Sequence, residues 1–156
     1  MVKTIFAAVA TAAMLFTTAC SSEEPKPLTN PSAYGEVSNQ ASTTEATVEM
    51  NAEHPSYSVS TDKITVKIKN AGPATLTFGT PYKLEKREQG TWYEVPFRSD
   101  VAFTDVGILL KPGDTYEDHI SMSTHDFTAT KGEYRMIKTL YANRKEITLA
   151  AAFQIE

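Results

Sequence analysis

The chain has 156 residues, 41% hydrophobic and 22% charged, with a formal net charge of −4, three histidines and one cysteine. That length suits one domain with a modest core. The acidic balance, with no basic stripe, excludes a nucleic-acid partner and offers no charge attraction to anionic lipid. A single cysteine has no disulfide partner within the chain.

The first twenty residues read as a secretory signal. Lys3 supplies a positive n-region, Ile5 to Phe16 is an apolar run rich in alanine, and Thr17-Thr18-Ala19 places small residues before Cys20. The run is too short to span a bilayer as a helix. The segment resembles a bacterial lipoprotein signal, in which the cysteine sulfur takes a diacylglycerol and becomes the mature N-terminus. Thr17 stands where that signal usually has leucine. The resemblance implies removal of residues 1–19, lipid attachment at Cys20, and a location at the cell membrane, lipid-anchored on its extracytoplasmic face. Several acyl chains on one residue anchor stably, because each buried methylene contributes about 0.8 kcal/mol. The alternative is an ordinary signal cut nearby, which leaves a free thiol.

Residues 20–45 follow as a linker. Ser21 to about Thr44 is dominated by Ser, Thr, Pro, Glu, Asn and Gln, with few large apolar residues. Such composition cannot bury enough surface to offset ordering entropy, and it predicts a disordered tether. Its r.m.s. span would be roughly 25–30 Å, and its full extension about 80 Å.

From Ala46 to Glu156 the hydrophobic period is two. Ile64, Val66 and Ile68 alternate with Thr65, Lys67 and Lys69, and Ile147, Leu149, Ala151, Phe153 and Ile155 alternate with smaller or polar residues. Each pattern sets one row of side chains toward a core and the other toward solvent. Turn signals punctuate these runs at Asn70-Ala71-Gly72-Pro73, Gln89-Gly90, Lys111-Pro112-Gly113-Asp114, Lys131-Gly132 and Ala142-Asn143-Arg144. They bound predicted strands at about 46–50, 56–60, 63–69, 74–78, 81–88, 91–97, 115–122, 133–141 and 146–155. One short helix is predicted around Ser123 to Thr130. Many short strands with frequent turns predict an all-β sandwich of about seven to nine strands.

Tyr134 opens the penultimate strand, two residues before the core position held by Met136. In immunoglobulin folds a tyrosine so placed bonds back to the preceding corner, two residues before a position often held by cysteine. A thioether fills that volume without a bridge. Trp92 is the sole tryptophan, expected in the core or at its margin. The strand Ile64–Asn70, the hairpin Tyr82–Lys86 with Gly90–Pro96, the turn Leu110–Gly113 and the segment Gly132–Arg135 together resemble a bacterial Ig-like domain. The resemblance spans nearly all of residues 46–156. That family occurs in lipid-anchored proteins of Gram-positive bacteria, and the resemblance implies an Ig-like fold without a shared catalytic set. A weaker likeness in layout is to small β-sandwich proteinase inhibitors.

No reactive constellation is legible. His54 precedes Pro55 in a turn. His119 and His125 lie near Glu117, Asp118 and Asp126, which reads as a solvated acidic surface rather than a metal site. Nucleophile elbows, zinc-binding His-Glu-x-x-His and phosphate loops are absent from the sequence. Arg87, Arg98, Arg135 and Arg144 are scattered and read as surface charge. The last strand's outer row, Thr148, Ala150 and Ala152, would suit peptide pairing if it lay at a free edge, but it is expected to pack against the first strand or a loop. The sequence thus predicts a non-enzymatic interaction module without cofactor or metal. Its expected partners are the membrane, through the lipid, and an envelope protein, a peptide or a cell-wall polymer. Proteinase inhibition and hydrolysis are the other classes considered.

Overall fold

The computed structural model describes residues 26–156. The predicted signal, Cys20 and the first residues of the linker lie outside the described residues. Eleven strands follow in order: β1 (Gln40–Ser42), β2 (Thr47–Ala52), β3 (Ser56–Tyr57), β4 (Lys63–Asn70), β5 (Leu76–Phe78), β6 (Lys83–Glu88), β7 (Thr91–Val95), β8 (Ile108–Leu110), β9 (Thr115–Ser121), β10 (Gly132–Ala142) and β11 (Lys145–Ile155). They form two sheets. One runs β1-β2-β4-β9; the other runs β3-β11-β10-β5-β8, with β6 also on β10 and β7 on β6. The inner rows of the two sheets meet in one core. Val48, Met50, Ile64, Val66, Ile68 and Ile120 come from the first sheet, and Leu76, Leu84, Met136, Leu140, Leu149 and Phe153 from the second.

The alternation read from the sequence is what packs this core. Ile64, Val66 and Ile68 are fully buried while Lys63 and Lys69 are exposed. Turn chemistry sets the register. Asn143 and Arg144, both left-handed (φ 48° and 68°), close the β10–β11 hairpin, and Gln89-Gly90 (φ 50° and 84°) closes β6–β7. Pro112-Gly113 makes the turn before β9, with Asp114 N–H donating to Lys111 O at 3.1 Å. Asn70 is buried behind that turn, where its Nδ2 donates to Ala74 O and Leu110 O, each at 2.9 Å.

Tyr134 is fully buried, and its hydroxyl donates to Thr130 O at 2.7 Å and accepts from Thr130 N–H at 3.2 Å. The ring stacks on Phe153 with centroids 5.9 Å apart. Met136 is fully buried one inward position further along β10, and Trp92 is buried on β7.

Several features differ from the sequence reading. The predicted helix at Ser123 to Thr130 is only a 3-10 turn at Met122–Thr124, because the backbone is extended again at His125. Strand β8 is not anticipated; its three residues, Ile-Leu-Leu, carry too short a period to register. Arg135, read as surface charge, is almost fully buried. Finally, part of the segment read as a disordered tether is ordered on the domain. Ser32 N–H donates to Trp92 O at 2.8 Å and Glu94 N–H donates to Asn30 O at 2.9 Å, so residues 30–32 run antiparallel along the edge of β7. Further on, β1 pairs with β2. Backbone pairing needs no large apolar side chain, which is why composition alone misses it.

Arg135 explains why the segment docks there. It projects from the outer face of β10, where its Nε donates to Glu85 Oε2 at 2.7 Å and its guanidinium lies 4.2 Å from the Trp92 ring centre. The N-terminal segment closes over this pair. Gly35 O and Tyr34 O accept from the guanidinium at 2.9 and 3.3 Å, and Ser32 Oγ donates to Glu85 Oε1 at 2.5 Å. A buried charge is costly unless it is paired and its remaining polar atoms are bonded, and the segment supplies those bonds.

Removing one member of this pair should therefore cost much more than replacing both. Glu85→Ala is expected to destabilise by about 3–5 kcal/mol, and Glu85→Leu with Arg135→Met by far less, read as denaturant midpoints. Tyr134→Phe leaves both polar groups of Thr130 short of a partner and should cost about 1–3 kcal/mol, with an unchanged denaturant slope.

Candidate functional site

The outer face of the larger sheet carries an open concavity with apolar walls. Strands β5 and β6 both pair with β10, β5 at Tyr141–Ala142 and β6 at Tyr134–Ile137. Between them Gly79-Thr80-Pro81-Tyr82 leaves the sheet, since proline cannot donate to the ladder. The gap opens a cleft of about 420 Å³, lined among others by Tyr34, Pro81, Tyr82, Lys83, Ile137 and Tyr141. Lys83 is tied to Glu94 at 3.1 Å, and that hydrogen bond holds its amine above the ordinary lysine range. Next to the cleft the outer row continues through Thr77 to Leu109, which pairs with it in register and is 70% exposed. Val106 is also exposed. Tyrosine and leucine side chains open to solvent on one face have the composition of a recognition surface.

The sheet edges are less available. Strand β11 meets β3 at Gln154–Ile155, and Ala150 N–H donates to Ser38 O at 3.0 Å, so the N-terminal segment covers the edge considered for peptide pairing. The edge of β7 is taken by residues 30–32. Strand β9 ends the smaller sheet. There the backbone N–H of His119 donates to Asp118 Oδ1 at 2.8 Å, and the same carboxylate reaches inward to Lys138 Nζ. An inward-pointing charge on an edge strand opposes edge-to-edge pairing.

That placement corrects the reading of Asp118 as part of a solvated acidic surface. Glu117 and His119 are exposed, but Asp118 shares the inward row of β9 with Tyr116 and Ile120. Its partner, Lys138, shares the inward row of β10 with Met136 and Leu140, and its side chain is fully buried. Lys138 Nζ also donates to Thr80 O at 3.4 Å and lies 5.4 Å from the Phe78 ring centre.

The histidines do not converge. His54 is exposed and edges against Tyr57, and His119 is exposed beside Thr65. Among the described residues no three His, Cys, Asp or Glu side chains gather to hold a metal ion. His125 is buried and stacked on Phe97, with ring centres 4.3 Å apart. Its Nδ1 lies 3.1 Å from Ser121 O, which fixes the neutral ring with its proton on Nδ1. Burial holds this histidine below its ordinary value, against a smaller opposing pull from the Ser121 carbonyl.

The unfolded chain takes up a proton at His125 near pH 6.5, whereas the folded chain resists it. Stability should therefore be full above about pH 6.5 and fall as pH drops toward the lowered folded value. Denaturant midpoints at about pH 5 and about pH 7.5 should show this loss, and His125→Phe should reduce the difference between them.

No curated protein matches the chain. Among solved structures, the β-glucosidase EmGH1 of Erythrobacter marinus is 12% identical over 71% of the chain with a TM-score of 0.35, and the chain spans only 16% of that protein. The archaellum periplasmic stator protein FlaG of Sulfolobus acidocaldarius is 14% identical over 68% of the chain and 99% of its own, with a TM-score of 0.40. The CsuC–CsuE chaperone–tip adhesion subunit complex of Acinetobacter baumannii is 16% identical over 68% of the chain and 56% of its own, also with a TM-score of 0.40. Likenesses this distant identify no function. Residues 44–154 match the bacterial Ig-like domain family, and with its two-sheet sandwich and its tyrosine at the head of β10, the chain belongs to that family.

Proposed function

We propose that this chain is a lipoprotein, anchored through Cys20 on the extracytoplasmic face of the cell membrane, whose Ig-like domain acts by binding rather than catalysis. Its partner is an envelope protein, a peptide or a cell-wall polymer. The observation that carries this reading is the contrast within one domain. The buried charged side chains are paired inside the fold, while a tyrosine-lined cleft and exposed Leu109 are left open on one outer face.

The docked N-terminal segment sets how that face is presented. Asn30 is already bonded to β7. The chain from Cys20 to Asn30, fully extended, reaches about 35 Å. A domain held on so short a leash works close to the bilayer, not at the full reach its linker composition predicts.

Mass spectrometry of the mature N-terminus should find acyl groups on Cys20, and Cys20→Ala should release the protein from the membrane fraction. An unmodified thiol on membrane-bound protein would contradict the anchor. Capture of envelope components by the full chain should be lost in a Tyr141→Ala, Leu109→Ser variant whose denaturant midpoint is unchanged; undiminished capture would move the binding surface elsewhere.

A further inference from the structure

Strand alternation calls for apolar side chains at the inward positions of β9 and β10, and two of these positions break the rule together. Asp118 lies between Tyr116 and Ile120, and Lys138 between Met136 and Leu140. They face each other across the sandwich, one from each sheet, in direct contact. The Lys138 side chain is fully buried. The Phe78 ring stands beside its amine, and Tyr116 packs edge-on against Phe78 with centroids 5.3 Å apart. A local rule broken twice at one contact marks a site with its own chemistry.

From this geometry we infer that Lys138 and Asp118 are a modification site, at which the amine and the carboxyl condense into an intramolecular amide that staples the two sheets. The groups are already placed. The fold holds nucleophile and electrophile together without diffusion, and apolar walls keep water from competing. Thr80 O accepts from Lys138 Nζ and orients it. His119 N–H donates to Asp118 Oδ1 at 2.8 Å, so a backbone donor already faces the oxygen on which negative charge develops during attack.

The step balances without a cofactor. Lys138 Nζ passes one proton to Asp118 Oδ2, which frees its lone pair. The nitrogen attacks Cγ, the N–Cγ bond forms, and a second nitrogen proton moves to Oδ2. The Cγ–Oδ2 bond breaks and one water leaves. Oδ1 remains as the amide carbonyl oxygen, bonded by His119 N–H. Nothing is oxidised or reduced. The cross-link closes the chain from β9 to β10 into a loop and so restricts the unfolded state, as a disulfide does, in a chain whose one cysteine cannot form one internally.

Tryptic mapping of the full-length protein by mass spectrometry tests this directly. The expected product is Ser99–Lys131 joined to Met136–Arg144, lighter than the two peptides together by the mass of one water, with cleavage after Lys138 blocked. Asp118→Ala should restore cleavage after Lys138 and return both peptides at full mass. Recovery of Met136–Lys138 and Thr139–Arg144 as separate, unmodified peptides from the wild-type protein would overturn the proposal and leave an ion pair only. The wild-type map decides alone, so the outcome does not depend on the variant folding.

Discussion

Strand β10 is buried on both faces, and it carries a cation on each. That constraint organises the rest of the domain. An internal strand of a sandwich normally has one wet face, where arginine and lysine can sit free of cost. Here Arg135 on the outer face and Lys138 on the inner face are both out of water, so each needs an anion and further polar partners. Glu85 on the neighbouring β6 answers Arg135, and Asp118 on the facing β9 answers Lys138. The two pairs do different structural tasks. The outer one recruits the N-terminal segment through Ser32, Tyr34 and Gly35; the inner one ties one sheet to the other.

Docking of that segment links fold to presentation. Polar, proline-containing chain becomes an added strand on β7 and then β1 on the opposite sheet, so it wraps from one layer to the other. In doing so it covers the edge of β7 and touches β11 at Ala150. The remaining edge strand of the smaller sheet, β9, is guarded by Asp118. An outer face stays open, with its cleft at the break between β5 and β6. With β7 covered and β9 guarded, that face favours recognition by side chains.

Much of the sandwich was legible because alternation is a direct record of burial. Ile64, Val66 and Ile68, and Leu149, Ala151 and Phe153, are buried as their period requires. The hairpin turns at Gln89-Gly90 and Asn143-Arg144 were legible because left-handed backbone selects few residue types. The charged pairs were not. Arg135 and Asp118 look like surface residues by type; the phase of β9 turns Asp118 inward, whereas Arg135 points outward from β10 and is buried by Trp92 and the docked segment. The β9 signal was present in the sequence: the alternation that turns His119 outward turns Asp118 inward. Lys138 was open to the same reasoning, two residues from Met136 and from Leu140. The docked segment left no comparable trace, since its hold on the domain is through backbone atoms and short polar side chains. The cleft depends on where β5 and β6 part from β10, a pairing between distant segments that no local pattern encodes.

The dependence of the domain on its covered outer cation is tested most directly by amide hydrogen exchange on the full-length chain. The amides of Ser32, Glu94 and Ala150 should exchange slowly and together, and Glu85→Ala should release Ser32 and Glu94 first. Exchange of these amides at the rates of an unstructured chain in the wild-type protein would contradict the docked segment, and with it the sealing of Arg135.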